Sequence, residues 1–262
     1  MLAMKSFSKL DRRRFLRNTG IAASAPLASA QTDNPKFVLI TCAGTRLAQS
    51  LAAGLNDRYR IRLTDRAPIQ SRHEFVECAL GHDEATTRLV RGAEAVVHVA
   101  EPRPGEKTDD QIDFLTRCTY NLLWAASEEK IPRVILLSTL EVMTSYDQDL
   151  TVSETWLPQP TLKEGVLARH LGEYTSREFA REARVQIAVL RLGKVVRAED
   201  VKGQPFDPLW VDERDVVQAV SRALSAKLTN WQIFHIGSDS PKARFSVKRA
   251  KASLGYQPRF QW

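Results

Sequence analysis

The sequence predicts an α/β protein built on a doubly wound parallel sheet, with a small C-terminal region capping a cleft. Short apolar runs of strand length alternate with longer stretches of helical period, the pattern of strands joined by crossover helices. No internal repeat and no low-complexity segment breaks this alternation. With 262 residues, 43% hydrophobic and 26% charged, the chain has enough material for a sizeable core.

The first strand is the apolar run Phe37 to Thr41, followed by a helical stretch from Leu47 to Asn56. Tyr59 to Leu63 is strand-like and leads to Asp65, and a third strand is expected to end near Cys78. Ala93 to Val99 reads as a buried strand and Gln111 to Glu129 as a helix, after which Pro132 opens the strand Arg133 to Leu137. Thr161 to Ala183 is a long helix and Val185 to Leu192 a strand. Gly203, Pro205 and Pro208 make Glu199 to Trp210 the most loop-like region; Val211 to Ala226 then reads as a helix and Trp231 to Ile236 as a strand.

The formal charge of +7 is unevenly placed. Residues 1–30 carry Lys5, Lys9, Arg12, Arg13, Arg14 and Arg17 against Asp11, a net of +5, so the body is only +2 and nucleic acid is not expected as a partner. Asp11 to Arg17 resembles a twin-arginine export pattern, with the mildly apolar Ile21 to Leu27 behind it and Ala28-Ser29-Ala30 as a cleavage site before Gln31. The expected organisation is a leader over residues 1–30 and one domain over 31–262, whose stretch from about 195 caps the cleft. Export to the periplasm follows from the leader. No apolar run is long enough for stable membrane insertion. Cys42, Cys78 and Cys118 form no metal-ligand spacing and are expected to be buried small residues.

Local phrases in order add a family resemblance. They are Val97-His98-Val99-Ala100, Thr119-Tyr120-Asn121-Leu122-Leu123, Arg133-Val134-Ile135 before Ser138-Thr139, and Gly172-Glu173. Leu190-Arg191-Leu192-Gly193, Trp210 to Val216 and Leu254-Gly255-Tyr256-Gln257-Pro258 follow. From about Lys36 to Phe260 the chain resembles the extended short-chain dehydrogenases/reductases of the NAD-dependent epimerase/dehydratase kind. The resemblance implies a Rossmann-type fold and NAD as cofactor. In length the chain is similar to the uronate dehydrogenase-like members, which points to a sugar acid or similar polyol as substrate.

The family's glycine motif, T-G-x-x-G-x-x-G, lets the backbone approach a pyrophosphate at a helix N-terminus. Aligned on Thr41 and Leu47, its three glycines become Cys42, Thr45 and Ala48. Gly44 serves if the turn shifts by one residue, and Arg46 offers a phosphate partner. Asp65, at a strand end, has the place of the acid that binds the adenosine ribose and favours NAD over NADP; its other reading is a turn carboxylate partnered by Arg66. The cofactor-binding set implied is Thr41, Gly44, Thr45, Arg46, Leu47, Asp65, Arg66, Ala100 and Arg169.

The family's reaction centre pairs a Ser or Thr, here Thr139, with a Tyr-x-x-x-Lys motif. Aligned on Gly172-Glu173, the Lys position is Arg169 and the Tyr position is Gly165. None of Tyr59, Tyr120, Tyr146, Tyr174 and Tyr256 has a Lys four residues later, and the Asn of the preceding helix falls at Leu115. Arg169 keeps the charge but relays no proton. Thr139 and Arg169 are therefore the expected catalytic pair, without the usual Tyr. His170 is expected to face solvent, Glu101 and Glu141 to be loop carboxylates bonded to local backbone, and His98 to be a satisfied core histidine; Lys194 faces either the substrate pocket or the surface. The dispersed Trp124, Trp156, Trp210 and Trp231 read as packing, and the basic stretch Lys242 to Lys251 as a solvated helix face.

Two functions remain open. One is a divergent NAD-dependent oxidoreductase or epimerase acting on a sugar-like substrate. The other is a non-catalytic protein whose cleft holds a nucleotide, a sugar or a protein partner. A homodimer is compatible with both.

Overall fold

The computed structural model describes residues 36–103, 105–182 and 184–260. The leader reading of residues 1–30 lies outside them, as does Ala183 at the end of the expected long helix. In chain order the elements begin with β1 (Phe37–Ile40), α1 (Arg46–Leu55), β2 (Arg60–Asp65), β3 (Glu74–Glu77), α2 (Glu84–Val90) and β4 (Ala93–His98). They continue with α3 (Thr108–Asp113), α4 (Thr119–Glu128), β5 (Arg133–Thr139), α5 (Glu164–Arg181), β6 (Gln186–Leu192) and β7 (Lys194–Val196). The last are β8 (Trp210–Asp212), α6 (Glu213–Ser225), β9 (Trp231–Ile236) and α7 (Lys248–Leu254).

Seven strands form one parallel sheet in the order β3-β2-β1-β4-β5-β6-β9. Strands covered on both faces must be apolar throughout. Val38, Leu39, Ile40, Val96, Val97, Val134 and Ile135 are accordingly fully buried. Helix α1 meets one face through Leu47, Ala48, Leu51, Ala52 and Leu55, a stripe of helical period, and packs beside α6. Helices α4 and α5 pack together with α5 against β5 and β6. The chain leaves β1 in one direction across the sheet and β4 in the other, so a crevice opens at the C-terminal ends of these two strands, where doubly wound sheets bind ligands.

Three expectations need correction. The helix expected over Gln111 to Glu129 is α3, a π-helical turn over Phe114–Cys118, and then α4. Here the Thr119 hydroxyl donates to the Leu115 carbonyl at 3.0 Å, and α5 approaches so closely that a Cβ on Gly172 would stand 3.0 Å from that same oxygen. The helix expected from Val211 starts at Glu213, because Asp212 caps it by accepting the Arg214 N–H at 2.9 Å. The basic face expected over Lys242 to Lys251 is helical only from Lys248, and the Arg244 guanidinium is turned inward onto the carbonyls of Thr144, Tyr146 and Asp147. Helix α2, unread in the sequence, is capped by Asp83, which accepts the Thr86 N–H at 2.9 Å.

Of the stretch expected to cap the cleft, β9 belongs to the main sheet and α6 packs on it. The cleft is bordered by the small β7–β8 ladder, which packs so close that a Cβ on Gly193 would overlap the Leu209 carbonyl. Cys42, Cys78 and Cys118 are buried free thiols, as expected.

Candidate active site

The crevice consists of two adjoining cavities. The first, about 480 Å³, is lined by Thr41, Cys42, Gly44, Thr45, Asp65 and Arg103 among others. The second, about 420 Å³, is bordered by Leu47, Ser138, Thr139, Glu141, Arg169 and Lys194. Arg46 and Glu101 line both.

The turn after β1 retains the shape that glycine would give it. Cys42 has φ of 58°, a left-handed conformation that L side chains rarely adopt. Burial pushes its thiol up to about 11, so it stays protonated in the cavity wall. Thr45 caps α1 by accepting the Ala48 N–H at 3.2 Å, and Glu101 lines the same cavity wall close enough for Thr45 to favour its charged form. The Thr41 hydroxyl is consumed inside the wall, accepting the Val99 N–H at 3.1 Å and lying 2.9 Å from His98 Nδ1. Because Thr119 donates onward to Leu115, it accepts from His98 Nε2 at 3.0 Å. His98 is thus a neutral, satisfied core histidine, held at about 3 by burial.

Asp65 closes β2 at the wall of the first cavity and accepts the backbone N–H of Gly44 at 2.8 Å and of Arg66 at 2.6 Å. Its cationic partner is Arg103, whose Nε lies 3.1 Å away, rather than Arg66. The Arg66 side chain pairs with Glu106 at 2.6 Å and stacks over Phe114. Arg103 carried no pattern in the sequence, since it stands on the loop after β4 and meets Asp65 only through strand order. Arg46, the expected phosphate partner, is engaged by Asp200 at 3.1 Å and Glu213 at 3.2 Å.

In the second cavity Thr139 ends β5. Its oxygen accepts the Glu141 N–H at 3.1 Å, which leaves the hydroxyl proton to donate into the cavity. Arg169 reaches in from α5, with Nη1 donating to the Gly165 carbonyl at 3.2 Å and no ion pair among the described residues. Burial lowers its pKa, against the attraction of Glu101 and Glu141. Lys194 lines this cavity and pairs with Asp207 at 2.5 Å. Glu141 faces the cavity with Lys163 3.5 Å away.

Several expected placements differ. Ala100 borders neither large cavity; with φ of 52° it turns the chain so that Glu101 faces the cleft instead. Glu101 and Glu141 are cleft carboxylates, not ones folded onto local backbone. His170 is half-buried with a shielded Nδ1 and lines neither large cavity, so it neither faces solvent fully nor reaches the site. Among the described residues no tyrosine lines either cavity.

A seven-stranded parallel sheet with a bilobed cleft at its switch point defines the Rossmann-like, dinucleotide-binding class of protein. The chain belongs to the NAD dependent epimerase/dehydratase family, whose pattern matches residues 41–208. It is 24% identical over 243 residues to the NAD-dependent glucose-6-phosphate dehydrogenase of Haloferax volcanii, covering 84% of this chain and 92% of that protein. To the uronate dehydrogenase of Pseudomonas syringae pv. tomato it is 26% identical over 244 residues, covering 89% and 86%. The fold is similar to that of a mutant uronate dehydrogenase from Agrobacterium tumefaciens solved with NAD, at a TM-score of 0.76 and 20% identity over 86% of this chain and 85% of that one.

The cleft fits the two ends of a dinucleotide better than its middle. The first cavity offers Asp65 to a ribose, and the second offers Thr139 and Arg169. Between them, the N-terminus of α1 is capped by the Thr45 hydroxyl, and Glu101 lines the passage from one cavity to the other.

Proposed function

We propose that this protein is a divergent sugar or sugar-acid oxidoreductase that holds NAD across the two cavities. The observation that carries the reading is the pairing of Asp65 at the end of β2 with Thr139 at the end of β5, on opposite arms of one switch-point cleft in a member of this family. The sugar dehydrogenase relatives support the substrate class. When bound, NAD supplies a hydride acceptor. Thr139 orients a substrate hydroxyl by donating to its oxygen. Arg169 holds an anionic or polyol group through a guanidinium that carries no ion-paired carboxylate of its own. Glu141, at the same wall, is the group available to take a proton in place of the missing Tyr. A screen of uronates and aldoses for NADH formation at 340 nm tests this; turnover that Thr139→Val lowers by about a hundredfold supports it, and no turnover on any sugar contradicts it.

One observation favours a second reading. Gly165 places no side chain where the family carries its proton-relaying Tyr, and the Arg169 guanidinium extends beside it instead. A non-catalytic nucleotide- or sugar-binding protein would keep such a cleft. Either form is proposed to act after export, and a protein recovered from the periplasm with Gln31 as its first residue would support that placement. Among the described residues no helix is long and apolar enough to cross a membrane. A homodimer would form through the exposed Tyr120 of α4 and Leu171 and Tyr174 of α5.

A further inference from the structure

We infer that Glu101 is a resident anion at the place where a dinucleotide's pyrophosphate must sit, so that the cleft admits NAD only as this carboxylate is neutralised or swung aside. The inference rests on the proposed NAD site and names how that site is controlled.

Placement is the first support. Glu101 stands on the turn after β4, at the switch point, and lines both cavities. A ligand that spans the two must pass it. The neighbouring helix cap is the second support. Glu101 lines the first cavity together with Thr45, the residue that caps α1, and Thr45 favours its charged form. A helix N-terminus favours one anion through its partial positive charge and free N–H groups. The first turn of α1 has no acid of its own, and the loop after β4 brings the Glu101 carboxylate to the cavity wall that this turn lines.

The charges around Glu101 leave it one cation. Sharing its cavities are Cys42 from the β1–α1 turn, Arg46 from the start of α1, Asp65 at the end of β2 with Arg66 just beyond it, Glu141 from the turn after β5, Arg169 from α5, Lys194 from β7 and Glu213 from α6, with Arg103 on its own loop. Arg46 is held by Asp200 and Glu213, Arg103 by Asp65, Arg66 by Glu106 and Lys194 by Asp207. Arg169 remains to attract Glu101 and also stands where ligand would need it. Burial raises the Glu101 pKa, while Arg169 and Thr45 pull it back. A pyrophosphate arriving beside an ionised Glu101 meets a like charge in a half-buried site, so binding is coupled to proton uptake by this group.

The test is isothermal titration of the purified chain and of Glu101→Gln with NAD at about pH 5.5 and about pH 8, in buffers of different ionisation enthalpy. Adenosine, which carries no phosphate, serves as the control ligand. The expected result is NAD affinity about tenfold higher for Glu101→Gln at the alkaline pH, a smaller gap at the acid pH, and unchanged adenosine binding. The natural chain should take up protons on binding NAD, a readout that stands even where the variant does not fold. Equal, pH-independent NAD affinity in both proteins, without proton uptake, would overturn the inference and leave the NAD site standing. Absence of NAD binding by both proteins at both pH values would overturn the NAD site itself and the inference with it.

Discussion

Arg103 lies across Asp65 in the first cavity, its guanidinium donating to the carboxylate that ends β2. The acid that would select an unphosphorylated ribose is thus neutralised by a cation from the neighbouring loop, itself about one-third exposed in the cavity wall.

From this pairing, Arg103→Ala should restore discrimination against NADP. An unpaired Asp65 repels a ribose 2′-phosphate, and the lost Arg103 no longer attracts it. The ratio of NAD to NADP affinity should rise about tenfold. Competitive titration with both nucleotides measures it, and an unchanged ratio would show that Arg103 has no part in ribose selection.

Arg191 and Glu173 form a fully buried ion pair at 2.7 Å, and Ser138 donates to the same carboxylate at 2.6 Å. Removing one partner leaves an uncompensated buried charge, so Glu173→Ala should cost about 3 to 5 kcal/mol. Urea unfolding followed by circular dichroism checks this, and a loss under about 1 kcal/mol would mean that the site relaxes or hydrates.

Acid sensitivity follows from two histidines. Burial lowers His98 and His235 from 6.5 to about 3, with Arg191 and Arg249 adding to the effect at His235. The unfolded chain takes up these protons first as pH falls below about 6.5. Their stabilising contribution is therefore present above that pH and is lost progressively toward about pH 3, with a slope of up to about 1.4 kcal/mol per pH unit for each group. Unfolding free energies between about pH 6.5 and about pH 4.5, above most carboxylate titrations, should fall steadily. A flat profile there would mean that both imidazoles titrate normally in the folded protein.

How much of this was legible depended on the range of the interaction. Strands β1, β2, β4, β5, β6 and β9 follow from apolar runs, which are local patterns; Asp65 and Thr139 were placed at strand ends, and Arg169 by the Gly172-Glu173 phrase on the long helix. Arg103 and the orientation of Glu101 depend on loop backbone, above all the left-handed Ala100, and on which loops the sheet order brings together. The π turn at Phe114–Cys118 packs against Gly172 of a helix nearly sixty residues further along the chain, so helical periodicity alone ran through it.

The missing proton relay can be restored. Gly165 and Arg169 lie one turn apart on α5, and the atom nearest a Cβ at Gly165 is Arg169 Nη1, at 3.3 Å. Shortening that side chain makes room, so Gly165→Tyr with Arg169→Lys should raise turnover on an oxidisable sugar by about a hundredfold or more over the natural chain. Initial rates of NADH formation report it. No gain from a folded double variant would place the lost chemistry elsewhere in the cleft.

On this reading the family cleft still takes a dinucleotide although side chains fill its glycine positions. Equilibrium titration of the purified chain with NAD addresses it most directly. Saturable one-site binding at roughly micromolar to tens of micromolar affinity is expected, displaced by adenosine at higher concentration. No heat at about millimolar NAD would contradict it, and the fold would then be a dehydrogenase scaffold without its cofactor.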